Sequence, residues 1–221
     1  MSGKVGESFA GGLGSWWPDT RAASRLVRLY FGLVAFGVSL AMMVRAQLGL
    51  GPWDVLHQGL AELLGVQIGW VTIAVSGLVL LAWLPLRQRP GLGTVSNMLL
   101  VGLAVNGALA VLPEPASLPA RVAWLAAGIG LNAVATACYI GANLGPGPRD
   151  GLMTGMAARG YSLRVVRTVI ELAVFAVGVV LGGTVGFGTV AYALSIGPLT
   201  HVLLPLLTIT SPSRQGTDER L

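Results

Sequence analysis

The sequence predicts an all-α, polytopic transmembrane helix bundle, and three observations carry that fold class. The first is composition: 54% of the residues are hydrophobic and only 10% are charged. A soluble chain of 221 residues could not hide that balance from water. The second is a series of six apolar stretches near the length of about 20 residues that a helix needs to cross a bilayer. The third is an internal duplication. Ala46-Gln47-Leu48-Gly49-Leu50-Gly51-Pro52-Trp53-Asp54-Val55-Leu56 returns, displaced by 96 positions, as Ala142-Asn143-Leu144-Gly145-Pro146-Gly147-Pro148-Arg149-Asp150-Gly151-Leu152. Seven of these eleven positions are identical. Gly91-Leu92-Gly93-Thr94-Val95 likewise returns as Gly186-Phe187-Gly188-Thr189-Val190 at a displacement of 95, so the repeat extends over a whole half of the chain.

Taken in order, the first 24 residues mix Gly, Ser and Trp and read as a cytoplasmic N-terminal tail, without the basic start and short apolar run of a cleaved signal peptide. A first membrane repeat, 25–117, holds spans at about Leu26 to Val44, Ile68 to Leu86 and Val95 to Leu112. A second repeat, 118–209, holds spans at about Val122 to Ile140, Val165 to Leu181 and Gly188 to Leu207. Residues 210–221 are polar and read as a cytoplasmic C-terminal tail.

Orientation follows from the basic residues. With a cytoplasmic N-terminus, Lys4, Arg21, Arg25, Arg28, Arg87, Arg89, Arg149, Arg159, Arg164, Arg167, Arg214 and Arg220 fall on the cytoplasmic side, and only Arg45 and Arg121 on the other. Twelve against two satisfies the positive-inside rule with both termini in the cytoplasm. The net charge of +5 then belongs to residues that flank spans and meet lipid headgroups, and it is no argument for nucleic acid as a partner.

Three spans per repeat make the second copy enter the bilayer from the opposite side. The bundle is therefore read as about six spans in two inverted three-span repeats, related by a pseudo-two-fold axis in the membrane plane. The Gly-Pro-Trp-Asp turn follows the first span on the external side, and the Gly-Pro-Arg-Asp turn follows the fourth on the cytoplasmic side. Each turn starts a short helix. Gly49, Gly51, Gly145 and Gly147 allow backbone angles closed to other residues. Pro52 and Pro148 suit the first helical position, and Asp54 and Asp150 fall in the first turn, where a carboxylate meets free amides. The helix from Pro52 to Leu64 is too short to cross. It sets Leu56, Leu60, Leu63 and Leu64 on one face, away from Asp54, Gln58 and Glu62, as an interfacial or re-entrant segment would.

Two readings of the turns stand side by side. In one, the aspartates cap helices and the glycines make tight corners. In the other, the re-entrant helix ends present Gly51, Pro52, Trp53, Asp54, Gly147, Pro148, Arg149 and Asp150 to a solute or take part in gating.

Polar groups inside the spans are few, and each is costly in lipid. Glu171 lies one helical turn beyond Arg167, at the spacing of an ion pair or of a protonatable carboxylate on a transport path. Their counterparts in the first copy are Ser76 and Thr72, so this cluster is specific to the second. His201 and Asn106 occupy equivalent positions and are read as intramembrane hydrogen-bonding groups. His57 stands three residues past Asp54, at the spacing to pair with it on the interfacial helix, with a headgroup contact as the expected alternative. The 32 glycines are read mainly as close-packing residues, with Gly178-Val-Val-Leu-Gly182 as a small-xxx-small contact. The single cysteine, Cys138, can form no internal disulfide.

Enzymatic signatures are missing: there is no His-Glu-x-x-His, no nucleophile elbow and no phosphate-binding loop. Neither a metal nor a cofactor is expected. Through Leu48-Gly49-Leu50-Gly51-Pro52-Trp53-Asp54-Val55 and Leu144-Gly145-Pro146-Gly147-Pro148-Arg149-Asp150-Gly151, the chain resembles the YczE-like branch of the YczE/YyaS/YitT group of bacterial integral membrane proteins. The resemblance covers about Arg25 to Leu207 and implies a multi-span protein of the bacterial inner membrane, with no catalytic residues to carry over. The expected activity is movement of a small solute by alternating access, with the bilayer and the solute as partners and a homodimer allowed. The alternative is a membrane accessory or regulatory protein that holds a partner enzyme or receptor.

Overall fold

In the computed structural model, which describes residues 20–208, nine helices follow one another without a strand among the described residues: α1 Thr20–Ala46, α2 Pro52–Leu64, α3 Ile68–Leu81, α4 Trp83–Leu86, α5 Leu92–Val111, α6 Leu118–Gly141, α7 Pro148–Ala157, α8 Leu163–Val180 and α9 Phe187–Leu207. The C-terminal tail and all but the last few residues of the N-terminal tail lie outside this range, Lys4, Arg214 and Arg220 among them. Helix α1 begins at Thr20, inside the segment assigned to the N-terminal tail.

Among the described residues, five segments are long and apolar enough to cross a membrane: Ala22–Ala46, Ile68–Leu86, Leu92–Val111, Leu118–Gly141 and Phe187–Leu207. They match five of the six expected spans. The remaining one corresponds to α8, whose 18 residues include Arg164, Arg167 and Glu171 in its first half, and those charges set it apart. The second span is one apolar run in two helical pieces, because the chain passes from α3 to α4 at Ala82.

Helices α1 and α6 form the central pair and run antiparallel. At one end Gly32 lies against the backbone of Ala135 and Tyr139, where a Cβ would come within 2.8 Å of the Tyr139 nitrogen. At the other end Gly128 lies against Ser39 and Met43. Helix α1 also packs on α5, and α6 packs on α9. Lipid tails are as apolar as leucine, so close backbone approach through small residues drives such contacts. The same device joins α3 to α5, where a Cβ on Gly69 would stand 2.0 Å from the Gly102 carbonyl oxygen. It also joins α2 to α8, where Gly178 abuts Leu56. Gly182, expected to pack beside Gly178, instead takes φ +93° just past the end of α8, and Gly183 is the residue that meets Val55.

The short helices pack against the opposite half of the chain: α2 lies on α8 as well as α3, and α7 lies on α3 as well as α8. On α2 the buried side mixes polar and apolar residues. Asp54, His57 and Ala61 are buried, Leu56 and Leu60 are half-buried, and Leu63 and Leu64 are exposed. Trp53 and Val55 are buried beside Asp54 and His57, so the first turns of α2 lie inside the bundle, while Glu62, Leu63 and Leu64 at its C-terminal end are exposed. Arg121 and Arg45 serve helix C-termini, where cations are favoured. Arg121 donates to the carbonyls of Ala46 and Gln47, and Arg45 donates to that of Leu109 and pairs with Glu114.

The central pair gives a direct test of packing. Gly32→Leu should lower the stability of the detergent-solubilised protein by about 1–3 kcal/mol or prevent folding, as overpacking does. Gly130→Leu, at a position with nothing within 4 Å, should leave the unfolding midpoint unchanged.

Candidate functional site

The repeated turns have the same backbone. Gln47 and Asn143 both take left-handed angles, with φ 52° and 54°, and Gly49 and Gly145 follow with φ 118° and 123°. Gly51 and Gly147 then start α2 and α7 with φ/ψ of −65°/159° and −61°/159°. Only the second of these paired positions demands glycine for its dihedral angle.

Each turn is held by the other half of the chain. The Leu48 carbonyl accepts from Gly188 N–H at 2.7 Å, and the Leu144 carbonyl accepts from Gly93 N–H at 2.8 Å. These donors are among the first amides of α9 and α5, which have no partner within their own helices. The Thr94 hydroxyl accepts from Gly91 N–H at 3.1 Å and donates to the Pro146 carbonyl at 2.8 Å, while the Thr189 hydroxyl accepts from Gly186 N–H. The second sequence repeat thus explains itself: Gly-x-Gly-Thr is the helix start that docks on the partner half's turn. Trp83 adds a further hold on α7, donating from Nε1 to the Pro148 carbonyl at 3.0 Å while its ring covers Gly151.

The turns leave opposite ends of the α1–α6 pair but fold back to its middle, where they meet. Gly51, Pro52, Trp53, Asp54, Gly147, Pro148, Arg149 and Asp150 all line one cavity of about 190 Å³. On α6, Tyr139 donates to Asp150 Oδ2 at 2.9 Å, and one level along, Asn132 accepts from the Tyr192 hydroxyl at 3.2 Å. Seven residues separate these levels, about 10 Å of helix at 1.5 Å per residue. Thr136 and Tyr139 of α6 and Tyr192 of α9 line the cavity beside that interval. The cavity lies below the roughly 300 Å³ at which pockets for drug-sized ligands begin, so it suits a small solute.

The two aspartates are in different states. Asp150 accepts the Tyr139 hydroxyl. The side chain of Asp54 is only 3% exposed, and its Oδ1 has no hydrogen-bond partner; His57 Nδ1 stands 3.7 Å away and Arg149 Nη2 4.0 Å away. Arg149 crosses from the second turn and lies over the Trp53 ring, with Cζ 5.4 Å from the centroid, a cation–π contact. The residues that differ between the turns, Trp53 and Arg149, therefore contact each other.

The other expected polar residues divide. Glu171 lines the cavity and accepts from Arg167 at 2.9 Å, the i,i+4 pair expected from its spacing. Asn106 is elsewhere, accepting from Gly69 N–H at 2.8 Å where α3 meets α5, and His201 is exposed on α9. These equivalent positions do not come together. His57 is buried rather than at the headgroups, facing Asp54 and the Thr72 hydroxyl at 3.4 Å, because the first turns of α2 lie inside the bundle.

Sequence reasoning missed Tyr139, Tyr192 and Asn97, which line the cavity, and the buried relay in which Asn132 donates to Ser39 and Ser39 to the Phe36 carbonyl. One signal was available. Asn97 and Tyr192 stand at equivalent repeat positions, three residues past the threonines of the two Gly-x-Gly-Thr motifs.

Fold and site together define a polytopic α-helical membrane protein built around a polar internal cavity. The chain belongs to the family of unknown function DUF6198, whose model matches residues 23–205. It is 39% identical over 180 residues to an uncharacterized protein of Haemophilus influenzae, covering 81% of this chain and 83% of the relative. It is 31% identical over 175 residues to the uncharacterized membrane protein YczE of Bacillus subtilis, covering 78% and 81%. With YyaS of the same organism it shares 26% identity over 199 residues, 85% of this chain and 98% of the relative. These matches bear out the YczE-like resemblance. No solved structure matches.

The crossed docking predicts unequal costs. Thr94→Val removes a hydroxyl that both donates and accepts, and Thr189→Val removes one whose described bond is a single acceptance. Thermal unfolding should show Thr94→Val as the more destabilising, by about 1 kcal/mol, the net worth of one hydrogen bond.

Proposed function

We propose that this protein moves a small solute across the bacterial inner membrane by alternating access, its two halves rocking as inverted repeats around the cavity between the turns. One observation carries the reading: two turns 96 residues apart in sequence, leaving opposite ends of the central helix pair, converge with all eight of their motif residues on one polar cavity at its middle. In inverted-repeat transporters, sites of this kind lie at the interface of the repeats and are built from the ends of discontinuous helices. The crossed hydrogen bonds give each half a handle on the other's turn, so a rigid-body motion of either would reshape the cavity. In this reading α2 and α7 are re-entrant, α8 completes six crossings, and both termini are cytoplasmic as the basic residues require. Glu171 and the paired turns do the solute contact and gating. No enzymatic step is assigned.

The test is accessibility from the two sides. Single cysteines replacing Asp54 and Asp150 in a Cys138→Ala background should react with a small membrane-impermeant thiol reagent from both faces of a vesicle, or change face when an ion gradient is imposed. Labelling of position 54 only from outside and of 150 only from inside, unmoved by gradients, would sink the transport reading and leave a membrane accessory protein.

A further inference from the structure

We infer that the cavity binds a small zwitterion, an amino-carboxylate, whose ammonium group sits on Asp54 and whose carboxylate sits on Arg149. The inference rests on the transport reading only in calling the ligand a substrate; the binding site stands on its own geometry.

Asp54 Oδ1 is buried without a hydrogen bond. An orphaned carboxylate oxygen in a low-dielectric interior is costly unless something pairs with it. Its neighbours, His57 Nδ1 at 3.7 Å and the Arg149 guanidinium Nη2 at 4.0 Å, both lie beyond the 2.7–2.9 Å of a charge-assisted bond. Arg149 itself is held by the face of Trp53, which leaves its donors facing the same cavity with no carboxylate in hydrogen-bond contact. The two opposite charges are therefore near enough to hold each other in place and too far apart to satisfy each other.

A simple cation on Asp54 would lie beside the guanidinium and be repelled by it. A simple anion on Arg149 would lie beside the Asp54 carboxylate and be repelled in turn. A ligand carrying both charges a few ångströms apart meets both groups with opposite sign and replaces one stretched ion pair by two bonded ones. The other charged groups lining the cavity are already engaged, Asp150 by Tyr139 and Glu171 by Arg167. The cavity is small, which favours a short ligand. Copy divergence made this site: the first turn supplies the usable carboxylate, the second the guanidinium.

The purified full-length protein would be titrated in detergent with glycine, L-alanine and L-serine, and separately with methylammonium chloride and sodium propionate, reading the thermal unfolding midpoint. The zwitterions should raise the midpoint at millimolar concentration, and the single-charge probes should not. Asp54→Asn and Arg149→Gln should each weaken glycine binding by about tenfold to a hundredfold, the loss of one charge-assisted bond. The substitutions should also switch selectivity: Arg149→Gln should acquire a response to methylammonium and Asp54→Asn a response to propionate, which a purely structural role would not produce.

A wild-type response to methylammonium or propionate equal to that for glycine, or no response to any zwitterion, would overturn the inference. If both variants fail to fold, the wild-type panel alone decides it. Proteoliposome uptake of labelled glycine separates this claim from the transport reading. Binding without uptake would keep the site and remove transport, while uptake of another solute without zwitterion binding would do the reverse.

Discussion

The structure depends on a pair of crossed hydrogen bonds, Gly93 N–H to the Leu144 carbonyl and Gly188 N–H to the Leu48 carbonyl. In hydrocarbon, a free amide at a helix start and a free carbonyl in a turn would each cost several kilocalories per mole, and no water is available to satisfy them. Here each deficit cancels one from the other half of the chain. Neither half can satisfy these groups alone, so pairing of the halves is part of folding. It also fixes the geometry: the turns must lie against α5 and α9, and that brings α2 and α7 inside the bundle with their N-terminal ends together.

Glycine makes this arrangement sterically feasible. At Gly91, Gly93, Gly186 and Gly188 a Cβ would meet the backbone of the docked turn at 3.0 Å or less, and at Gly49 it would meet Thr189 and Gly186 within 2.8 Å. The motif glycines are thus bound by close approach more often than by φ. Substitution would separate the halves at the points where their hydrogen bonds form. The abundance of glycine in the chain is the cost of bringing helices and turns to backbone contact in lipid.

Much of this was legible in the sequence, for physical reasons. Apolar runs must reveal the spans, because a helix in lipid cannot be amphipathic for water's sake, and the repeat revealed the turns, because a glycine that meets backbone cannot drift. Other features were not legible. That Asp54 and Arg149 approach each other depends on how the halves dock, which no local pattern records. The burial of His57 depends on the first turns of α2 docking on α8 and α3, which its own sequence pattern does not record. The single-copy residues Tyr139 and Ser39 stood out from no pattern at all, since each is an isolated polar group in a helix otherwise selected for packing.

The division between what the copies share and where they differ is itself informative. Identical positions, Leu48 with Leu144, Gly49 with Gly145, Pro52 with Pro148 and Thr94 with Thr189, make the backbone scaffold and its crossed bonds. Differing positions set the chemistry around the shared aspartates of the cavity: Trp53 against Arg149, Asn97 against Tyr192, and Tyr139 where the first copy has Met43, which does not line the cavity. In the second half, Arg167 and Glu171 take the places of Thr72 and Ser76. A perfectly symmetric pair of turns would bring two identical side chains together at the centre, either two tryptophans or two arginines. Divergence replaces that with a cation over an indole and leaves one aspartate bound by tyrosine and the other open. Duplication thus produced a frame in which two helix ends face each other, and sequence change at the few unconstrained positions gave the enclosed space an electrical polarity.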